Sequence, residues 1–198
     1  MSQSSLPRRA LRRVAAVALV ASLAACAPDF HGVVLDPPDP APPLALVDST
    51  GATFDLAAER GKVVLVFFGY THCPDVCPTT LADWRRARAA LGDDAARVRW
   101  IFVSVDPERD DPRAAHRYAA KFDTAFTGLS GTPAQVAATL AQWKIGAHRD
   151  DAGRDTTTPY TVSHPSTVFV IDREGRQRLL HRLGLPAEQV AADVRALL

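Results

Sequence analysis

The fold of this 198-residue chain is best predicted from one stretch, KVVLVFFGYTHCPDVCPTTL, residues Lys62–Leu81. Its first part is a continuous apolar run, which is typical of a strand buried on both faces of a sheet. The pattern becomes helical over Pro78–Leu91, and Gly92 brings the apolar stripe of this helix to an end. Cys73 and Cys77, two of the three cysteines, therefore lie between a buried strand and the start of a helix.

Strand and helix patterns alternate through the rest of the chain. VRWIFVSVD (98–106) predicts a second buried strand, and the apolar runs of 166–183 predict a β-hairpin around an Arg-Glu-Gly turn. LALVDSTGATFDL (44–56) predicts an N-terminal β-hairpin. Three more helices are predicted: Pro112–Phe122 with Asp111 as its cap, 132–145 with a Thr-Pro-x-Gln capping box, and 186–198.

This order of elements predicts the fold class. Two buried strands joined through a helix form a right-handed parallel crossover, and the later hairpin adds antiparallel strands to the same sheet. The prediction is α/β: a thioredoxin-like mixed sheet flanked by helices, with an N-terminal β-hairpin, over residues 44–198. In this arrangement Cys73 follows a central strand and Cys77 lies in the first turn of the next helix. Open α/β sheets bind ligands at such strand ends.

The first 43 residues have a different composition. Residues 1–25 combine a basic start with the apolar stretch Val14–Ala25, which predicts a lipoprotein signal peptide; a short transmembrane anchor is the alternative. Small residues before Cys26 resemble a bacterial lipobox, so Cys26 is the predicted lipidation site. Residues 26–43 are rich in proline and are predicted to be a semi-rigid spacer. We therefore expect a membrane-anchored lipoprotein whose domain lies on the oxidising, extracytoplasmic (periplasmic) side.

The charge of the mature chain excludes one class of partner. Residues 1–25 carry four arginines and no acidic side chain, so their removal changes the formal net charge from +1 to −3. A slightly acidic domain is a poor binder of nucleic acid. About 170 remaining residues are enough for one domain with a substantial core.

The spacing of Cys73 and Cys77 allows three kinds of site. Positions i and i+4 share one face of a helix, so the two sulfurs can bond to each other or approach one metal ion. A purely structural disulfide would close a very short loop and restrict the unfolded chain little. Structural zinc needs four ligands, and the chain has no second cysteine pair. Copper(I) is soft and suits two thiolates with one imidazole, for which His164 is the candidate.

Three motifs together resemble the Sco/SenC family: FFGYTHCPDVCPTTL, FVSVDPERD and YTVSHPSTVFVID. Members of this family are thioredoxin-like, membrane-tethered copper chaperones for the dinuclear copper site of cytochrome c oxidase. The resemblance spans about residues 30–198 and implies that Cys73, Cys77 and His164 are copper ligands, for Cu(I), Cu(II) or both. It also implies that Asp106, at the end of the second buried strand, lies near the site and supports the ligands without binding the metal.

The chain departs from the family at two positions. Ser163 stands before the histidine, where the family often has an acidic residue. Pro165 stands where thioredoxin-like proteins carry a cis-proline, and both isomers of the His164–Pro165 bond stay open at this point. The predicted membrane attachment also differs: this chain is expected to carry a lipid on Cys26, whereas the family commonly uses a transmembrane helix.

Other polar residues receive weaker interpretations. His72 is interpreted as a structural residue or as a support for a metal ligand, rather than as a ligand, and His116, His148 and His181 are interpreted as surface residues without a role. Glu108–Asp111 is interpreted either as a solvated loop at a helix start or as a docking surface for the oxidase subunit. The stretch from His148 to Thr158 is predicted to be a loop that leads to His164.

Two functions remain open from the sequence, and a third is disfavoured. The first is a metallochaperone, not an enzyme, that delivers copper to the copper-bearing subunit of cytochrome c oxidase, with a periplasmic copper donor or thiol reductase as a further partner. The second is a thiol–disulfide oxidoreductase that reduces the cysteines of that subunit, with Cys73 attacking and Cys77 resolving. A peroxidase would need Thr-x-x-Cys, and Thr71 is only two positions before Cys73.

Overall fold

The computed structural model describes residues 29–150 and 160–198, so the predicted signal peptide and Cys26 lie outside the described residues. Within those ranges the chain forms eight strands and four α-helices. The strands are β1 (Val33–Pro40), β2 (Val63–Gly69), β3 (Val98–Ser104), β4 (Phe126–Leu129), β5 (His148–Asp150), β6 (Thr161–Ser163), β7 (Val168–Ile171) and β8 (Arg176–His181). The helices are α1 (Val76–Leu91), α2 (Pro112–Ala120), α3 (Pro133–Gln142) and α4 (Ala187–Leu197).

Six strands form one mixed sheet in the order β1-β8-β7-β2-β3-β4. Strands β2, β3 and β4 are parallel, and β7 joins the other side of β2 in the antiparallel direction. Strands β8 and β1 continue the antiparallel half. The predicted thioredoxin-like mixed sheet with flanking helices is therefore confirmed. Strands β5 and β6 form a separate two-stranded hairpin.

Strand β2 is buried over its whole length because both faces of the sheet are covered. Its side chains alternate between two hydrophobic clusters, as the period of a strand requires. Phe67 and its odd-numbered neighbours pack against Trp84 of α1 and the apolar face of α4. Phe68 and its even-numbered neighbours pack against Trp143 and Val136 on the other face.

The predicted helix starts are confirmed where capping residues marked them. Asp111 caps α2, with its carboxylate accepting a hydrogen bond from the Ala114 N–H at 2.6 Å. Thr132 and Gln135 form the expected capping box of α3. None of the helices in residues 29–150 and 160–198 is long and apolar enough to cross a membrane.

The predicted proline-rich spacer is wrong for residues 33–40. These residues form β1, which pairs with β8 and is an edge strand of the sheet. Proline lacks an N–H donor, which excludes it from a central strand but not from an edge strand with an irregular register. The register of β1 shifts between Val34 and Asp39, and the Asp36–Pro37 bond is cis.

The predicted hairpin over residues 44–56 is present in a short form. Val47 and Thr53 form an antiparallel β-bridge, and the backbone N–H groups of Asp48 and Phe54 donate to the carbonyl oxygens of Ala52 and Leu46 at 3.0 and 2.8 Å. Val47 also exchanges two backbone hydrogen bonds with Ser130 after β4, at 2.7 and 3.1 Å. Val47 therefore connects the short hairpin to the main sheet region, and β1 precedes this hairpin as the first strand of the domain.

The interpretation of His181 as a surface residue is also wrong. Its side chain is buried at the end of β8, and its Nε2 lies 2.9 Å from Oδ2 of Asp193 in α4. Burial lowers the pKa of His181, and the neighbouring Asp193 carboxylate opposes this shift. The same carboxylate accepts hydrogen bonds from the backbone N–H groups of His31 and Gly32, at 2.8 and 2.9 Å. The pair therefore fixes the chain just before β1.

Candidate metal centre

Three potential ligands meet at the end of β2: Cys73, Cys77 and His164. Their sulfur and nitrogen atoms lie within 4.8 Å of one another, as a group that could hold a metal ion. Cys77 Sγ is 3.6 Å from His164 Nε2. The structure thus brings together the residues that the sequence predicted as the metal ligands.

The cysteines are positioned by the start of α1. This helix begins at Val76, two residues earlier than predicted, so Cys77 lies in its first turn and Cys73 just before it. The backbone N–H of Cys77 donates to Cys73 Sγ at 3.4 Å. Cys73 Sγ therefore lies at the positive end of the helix dipole, beside an N–H group of the first helical turn. Both cysteines are free thiols in the structure.

The protonation of His164 suits a metal ligand. Its Nδ1 lies 3.0 Å from the carbonyl oxygen of Pro165, and because a carbonyl only accepts, Nδ1 carries the proton. The lone pair of Nε2 is then directed toward the sulfur of Cys77. Burial lowers the pKa of His164, which keeps the imidazole neutral.

The two sulfurs differ in exposure, and this difference gives them different chemistry. Cys77 is fully buried, and burial raises the pKa of its thiol. Cys73 is half-buried and lines an open cavity of about 320 Å³. The cavity is lined by both sides of the centre: Tyr70, Cys73, Pro74, Asp75, Val76, Asp150, Thr161, Val162, Ser163 and His164. A partner can therefore approach Cys73 and His164 more readily than Cys77.

Aromatic rings fix the orientation of His164. Tyr70 packs edge-on against the imidazole, with centroids 5.7 Å apart and an interplanar angle of 88°. Phe67 makes a second edge contact at 6.0 Å and 67°. Both rings come from β2 or the residue after it, so the same strand supports the imidazole and leads into the cysteine loop.

Asp110 holds the cysteine loop, and the sequence did not reveal this role. It was interpreted as part of a charged loop, yet its side chain is fully buried. Its carboxylate accepts hydrogen bonds from the Thr71 backbone N–H at 2.8 Å, the Thr71 hydroxyl at 2.5 Å and the Ser104 hydroxyl at 2.7 Å. The loop after β3 is thereby joined to the residue two positions before Cys73.

Asp106 anchors the segment that carries His164. Its carboxylate accepts hydrogen bonds from Arg109 Nε at 2.5 Å and from the Tyr160 hydroxyl at 2.8 Å. The Tyr160 ring also contacts two guanidinium groups, those of Arg109 at 3.5 Å and Arg149 at 3.8 Å. The β5–β6 hairpin is thus fastened to the loop after β3, four residues before His164.

We expect Tyr160→Ala to weaken metal binding without removing a ligand. The change removes both the hydrogen bond to Asp106 and the ring between the guanidiniums, so the segment that carries His164 loses its anchor. Loss of an outer-shell support costs about 10–100-fold in metal affinity. The affinity of the reduced protein for copper(I), measured by competition with a chelator, checks this. Tyr160→Phe keeps the ring and is the matched control; equal affinity of Tyr160→Ala and wild type would contradict the proposed anchoring.

The remaining predicted neighbours have modest roles. Ser163 donates a hydrogen bond to Asp150 at 2.8 Å, which ties β6 to β5 beside the histidine.

The predicted loop from His148 is wrong for residues 148–150, which form β5; residues 151–159 lie outside the described residues. His72 is exposed, and its Nδ1 lies 3.0 Å from the Thr71 hydroxyl. Among the described peptide bonds, only Asp36–Pro37 is cis, so the His164–Pro165 bond is trans.

Gly69 leaves the space that Cys77 occupies. A Cβ at this position would lie 2.6 Å from Cys77 Sγ and 2.9 Å from Phe102 Cε2. We therefore expect Gly69→Ala to displace the sulfur and to lower copper(I) affinity by about tenfold or more, with a stability loss of about 1–3 kcal/mol from overpacking. Competition titration and urea unfolding measure the two effects.

Gly146→Ala is the control for this substitution, because the nearest atom to its new Cβ is His148 Nε2 at 3.8 Å. Gly146→Ala should leave copper(I) affinity and the free energy of unfolding close to those of the wild type. If Gly69→Ala binds copper(I) as tightly as Gly146→Ala, the close approach of β2 to Cys77 has no effect on the centre.

Comparison with known proteins assigns the chain to a family. In solution, apo Sco1 of Thermus thermophilus has a similar structure, with a TM-score of 0.77 and 41% identity over 87% of this chain and 99% of that one. ScoI of Bradyrhizobium japonicum with copper bound has a TM-score of 0.70 and 36% identity, over 84% and 99%. A SCO2-like protein of Rickettsia prowazekii is 30% identical over 148 residues, which are 75% of this chain and 72% of the relative. Residues 35–198 match SCO1/SenC, and the chain therefore belongs to the SCO1/SenC family.

Proposed function

We propose that this protein binds copper through Cys73, Cys77 and His164 and delivers it to the dinuclear copper site of cytochrome c oxidase. The observation that carries the proposal is the convergence of two sulfurs and an unprotonated imidazole nitrogen within 4.8 Å. Two soft sulfur ligands with one imidazole match the preference of copper(I). The copper-bound structure of the Bradyrhizobium japonicum relative supports the same choice of metal.

Delivery requires that the metal can leave. Three ligands leave one side of the ion open, and the cavity beside Cys73 and His164 gives a partner access to that side. A ligand of the acceptor can then bind the ion before the first protein ligand is released. Ligand exchange of this kind transfers the ion without exposing it to solvent.

The test is copper transfer to the isolated copper-bearing domain of the oxidase subunit. The reduced, copper(I)-loaded protein is mixed with the apo acceptor without oxygen, the two proteins are separated, and the copper bound to each is measured by atomic absorption. We expect transfer by the wild type and none by Cys73→Ser or His164→Ala. Transfer at the wild-type rate by either variant would refute the proposed ligand set.

A second function is favoured by the different exposure of the two thiols. In a thiol–disulfide reaction the half-buried Cys73 thiolate attacks one sulfur of a disulfide in the target, and the other sulfur leaves as a thiolate. The Cys77 thiol then gives its proton to the target thiolate released first and attacks Cys73 Sγ, which releases the second target thiolate and leaves a Cys73–Cys77 disulfide. Two electrons pass to the target, and a thiol reductase must restore the pair.

His164 separates the two functions. Copper binding needs its imidazole, whereas disulfide exchange needs only the two sulfurs. If the His164→Ala variant reduces the oxidised acceptor at the wild-type rate but transfers no copper, both chemistries reside in this centre. If neither Cys73→Ser nor Cys77→Ser affects reduction of the acceptor, the redox function is excluded.

We also propose that Cys26 carries a lipid that holds the domain at the extracytoplasmic face of a membrane. The support is the small-residue sequence before Cys26 and the basic and apolar segments that precede it. Mass spectrometry of the N-terminal peptide of the membrane-extracted protein tests this. A mature chain that begins at Cys26 with the mass of attached acyl groups is expected, and Cys26→Ser should release the protein from the membrane.

A further inference from the structure

The exposed apolar side chains of the domain lie where the chain enters it. Among the residues that the structure describes, three large hydrophobic side chains are exposed: Val33 (40%), Val34 (43%) and Leu183 (45%). We call these three residues the N-terminal patch. Val33 and Leu183 line one cavity of about 330 Å³, which Arg182 also lines.

The N-terminal patch lies at the same edge of the sheet as the metal centre. Val33 pairs with Leu180, Leu180 with Phe169, and Phe169 with Val66 in β2. Because the four strands alternate in direction, β1 begins at the edge where β2 ends and leads to Cys73. Three strand spacings separate β1 from β2, which is about 14 Å.

The chain is fixed in place from Phe30 onward. Phe30 packs against the hydrophobic core, and the guanidinium of Arg178 lies 5.9 Å from the centre of its ring. The next two backbone N–H groups donate to the buried carboxylate of Asp193. Phe30 is only four positions after Cys26, so even a fully extended chain spans at most about 14 Å between them. With residues 33–40 in the sheet, this segment is too short to lift the domain far from an anchor at Cys26.

We propose that the N-terminal patch rests on the surface of a lipid bilayer, so that the metal centre faces the membrane. This proposal rests on the acylation of Cys26 proposed above, and it adds an orientation to it. The apolar side chains would lie at the boundary of headgroups and acyl chains, and Arg182 would lie near the lipid phosphates.

This orientation limits where the metal can be delivered. The metal centre follows β2, three strands from the anchored strand β1 and at the same sheet edge, so it remains on the side of the domain that faces the headgroups. The partner that it fits is a membrane protein whose acceptor site lies close to the bilayer surface. An acceptor site far above the membrane would be out of reach of the anchored domain.

The test uses the full mature chain, extracted with its lipid and placed in nanodiscs of phosphatidylethanolamine and phosphatidylglycerol. A fraction of the lipids carries a gadolinium chelate on the headgroup, which broadens the amide signals of nearby residues. We expect loss of the amide signals of the N-terminal patch. Signals of Ala58 and Glu174, at the opposite edge of the sheet, should remain. Retained patch signals, or loss at the opposite edge instead, would overturn the orientation.

A charge substitution makes the test specific for the patch. Val34→Glu combined with Leu183→Glu should reduce the broadening of the patch amide signals, whereas the matched control Ala58→Glu should not change it. If the patch instead binds a second copy of the chain, light scattering will show a dimer without lipid that the paired substitution dissociates, and the membrane proposal is then wrong.

Two further measurements on the same sample separate this proposal from the function on which it rests. Mass spectrometry reports whether Cys26 is acylated, and an unmodified Cys26 overturns the orientation as well as the anchor. Copper(I) titration reports the metal centre, which the patch variants should leave unchanged. Failure to bind copper would therefore refute the proposed function without bearing on the orientation.

Discussion

Replacing Cys77 with serine is expected to abolish tight copper(I) binding. A hydroxyl is a hard, weakly acidic ligand, and a soft cation gains little from it. The site cannot compensate by rearrangement, because Cys77 is fully buried against Gly69. Outer-shell losses cost about 10–100-fold in affinity, so removal of a directly bound sulfur should cost more than about 100-fold. Competition titration of the reduced protein against a copper(I) chelator measures this loss.

The same titration tests the histidine. We expect His164→Ala to weaken copper(I) binding, with a smaller effect than the loss of either sulfur, because copper(I) prefers soft ligands. His72→Ala is the matched control: this imidazole is adjacent to Cys73 in sequence but is exposed and lies beside Thr71. Equal affinities of the two variants, or wild-type affinity of His164→Ala, would contradict the proposed centre.

Asp110→Ala is expected to destabilise the protein by about 3 kcal/mol or more. Its carboxylate accepts three hydrogen bonds from Thr71 and Ser104, and each buried donor left unsatisfied costs about 1–3 kcal/mol. Urea unfolding measures the free energy of unfolding. The same variant should weaken copper(I) binding, since the loop before Cys73 loses its attachment to the segment after β3.

Asp111→Ala provides a control one position away. Asp111 is exposed and caps α2, and loss of such a cap typically costs about 1 kcal/mol. The Asp111→Ala substitution should leave copper(I) affinity unchanged. The proposed role of Asp110 would be wrong if the two alanine variants had the same stability and the same copper(I) affinity.

Local sequence patterns were enough to predict the central part of the fold. The apolar run of β2 could be recognised because both of its faces are buried, so no polar position interrupts it. The start of α3 could be recognised because the side chains of Thr132 and Gln135 each accept a hydrogen bond from the backbone N–H of the other residue, within one turn. The proximity of Cys73 and Cys77 follows from their i, i+4 spacing at the start of a helix.

Contacts between distant segments were harder to predict. His164 is 87 residues from Cys77, and only the resemblance to a known family and its fold placed the histidine opposite the cysteines. Asp110 lies in the polar sequence DPERDD, where its burial is not visible, because the donors that satisfy it come from Thr71 and Ser104. His181 was misinterpreted for the same reason, since its partner Asp193 belongs to another element.

Strand β1 has a consequence for handling the protein. By pairing with β8, it covers backbone donors and acceptors that would otherwise face solvent along a six-residue strand. Bare strands of this kind recruit other chains, whereas the opposite border of the sheet is β4, which has only four residues. A fragment that starts at Leu44 would therefore self-associate through β8, even though it would retain every proposed copper ligand.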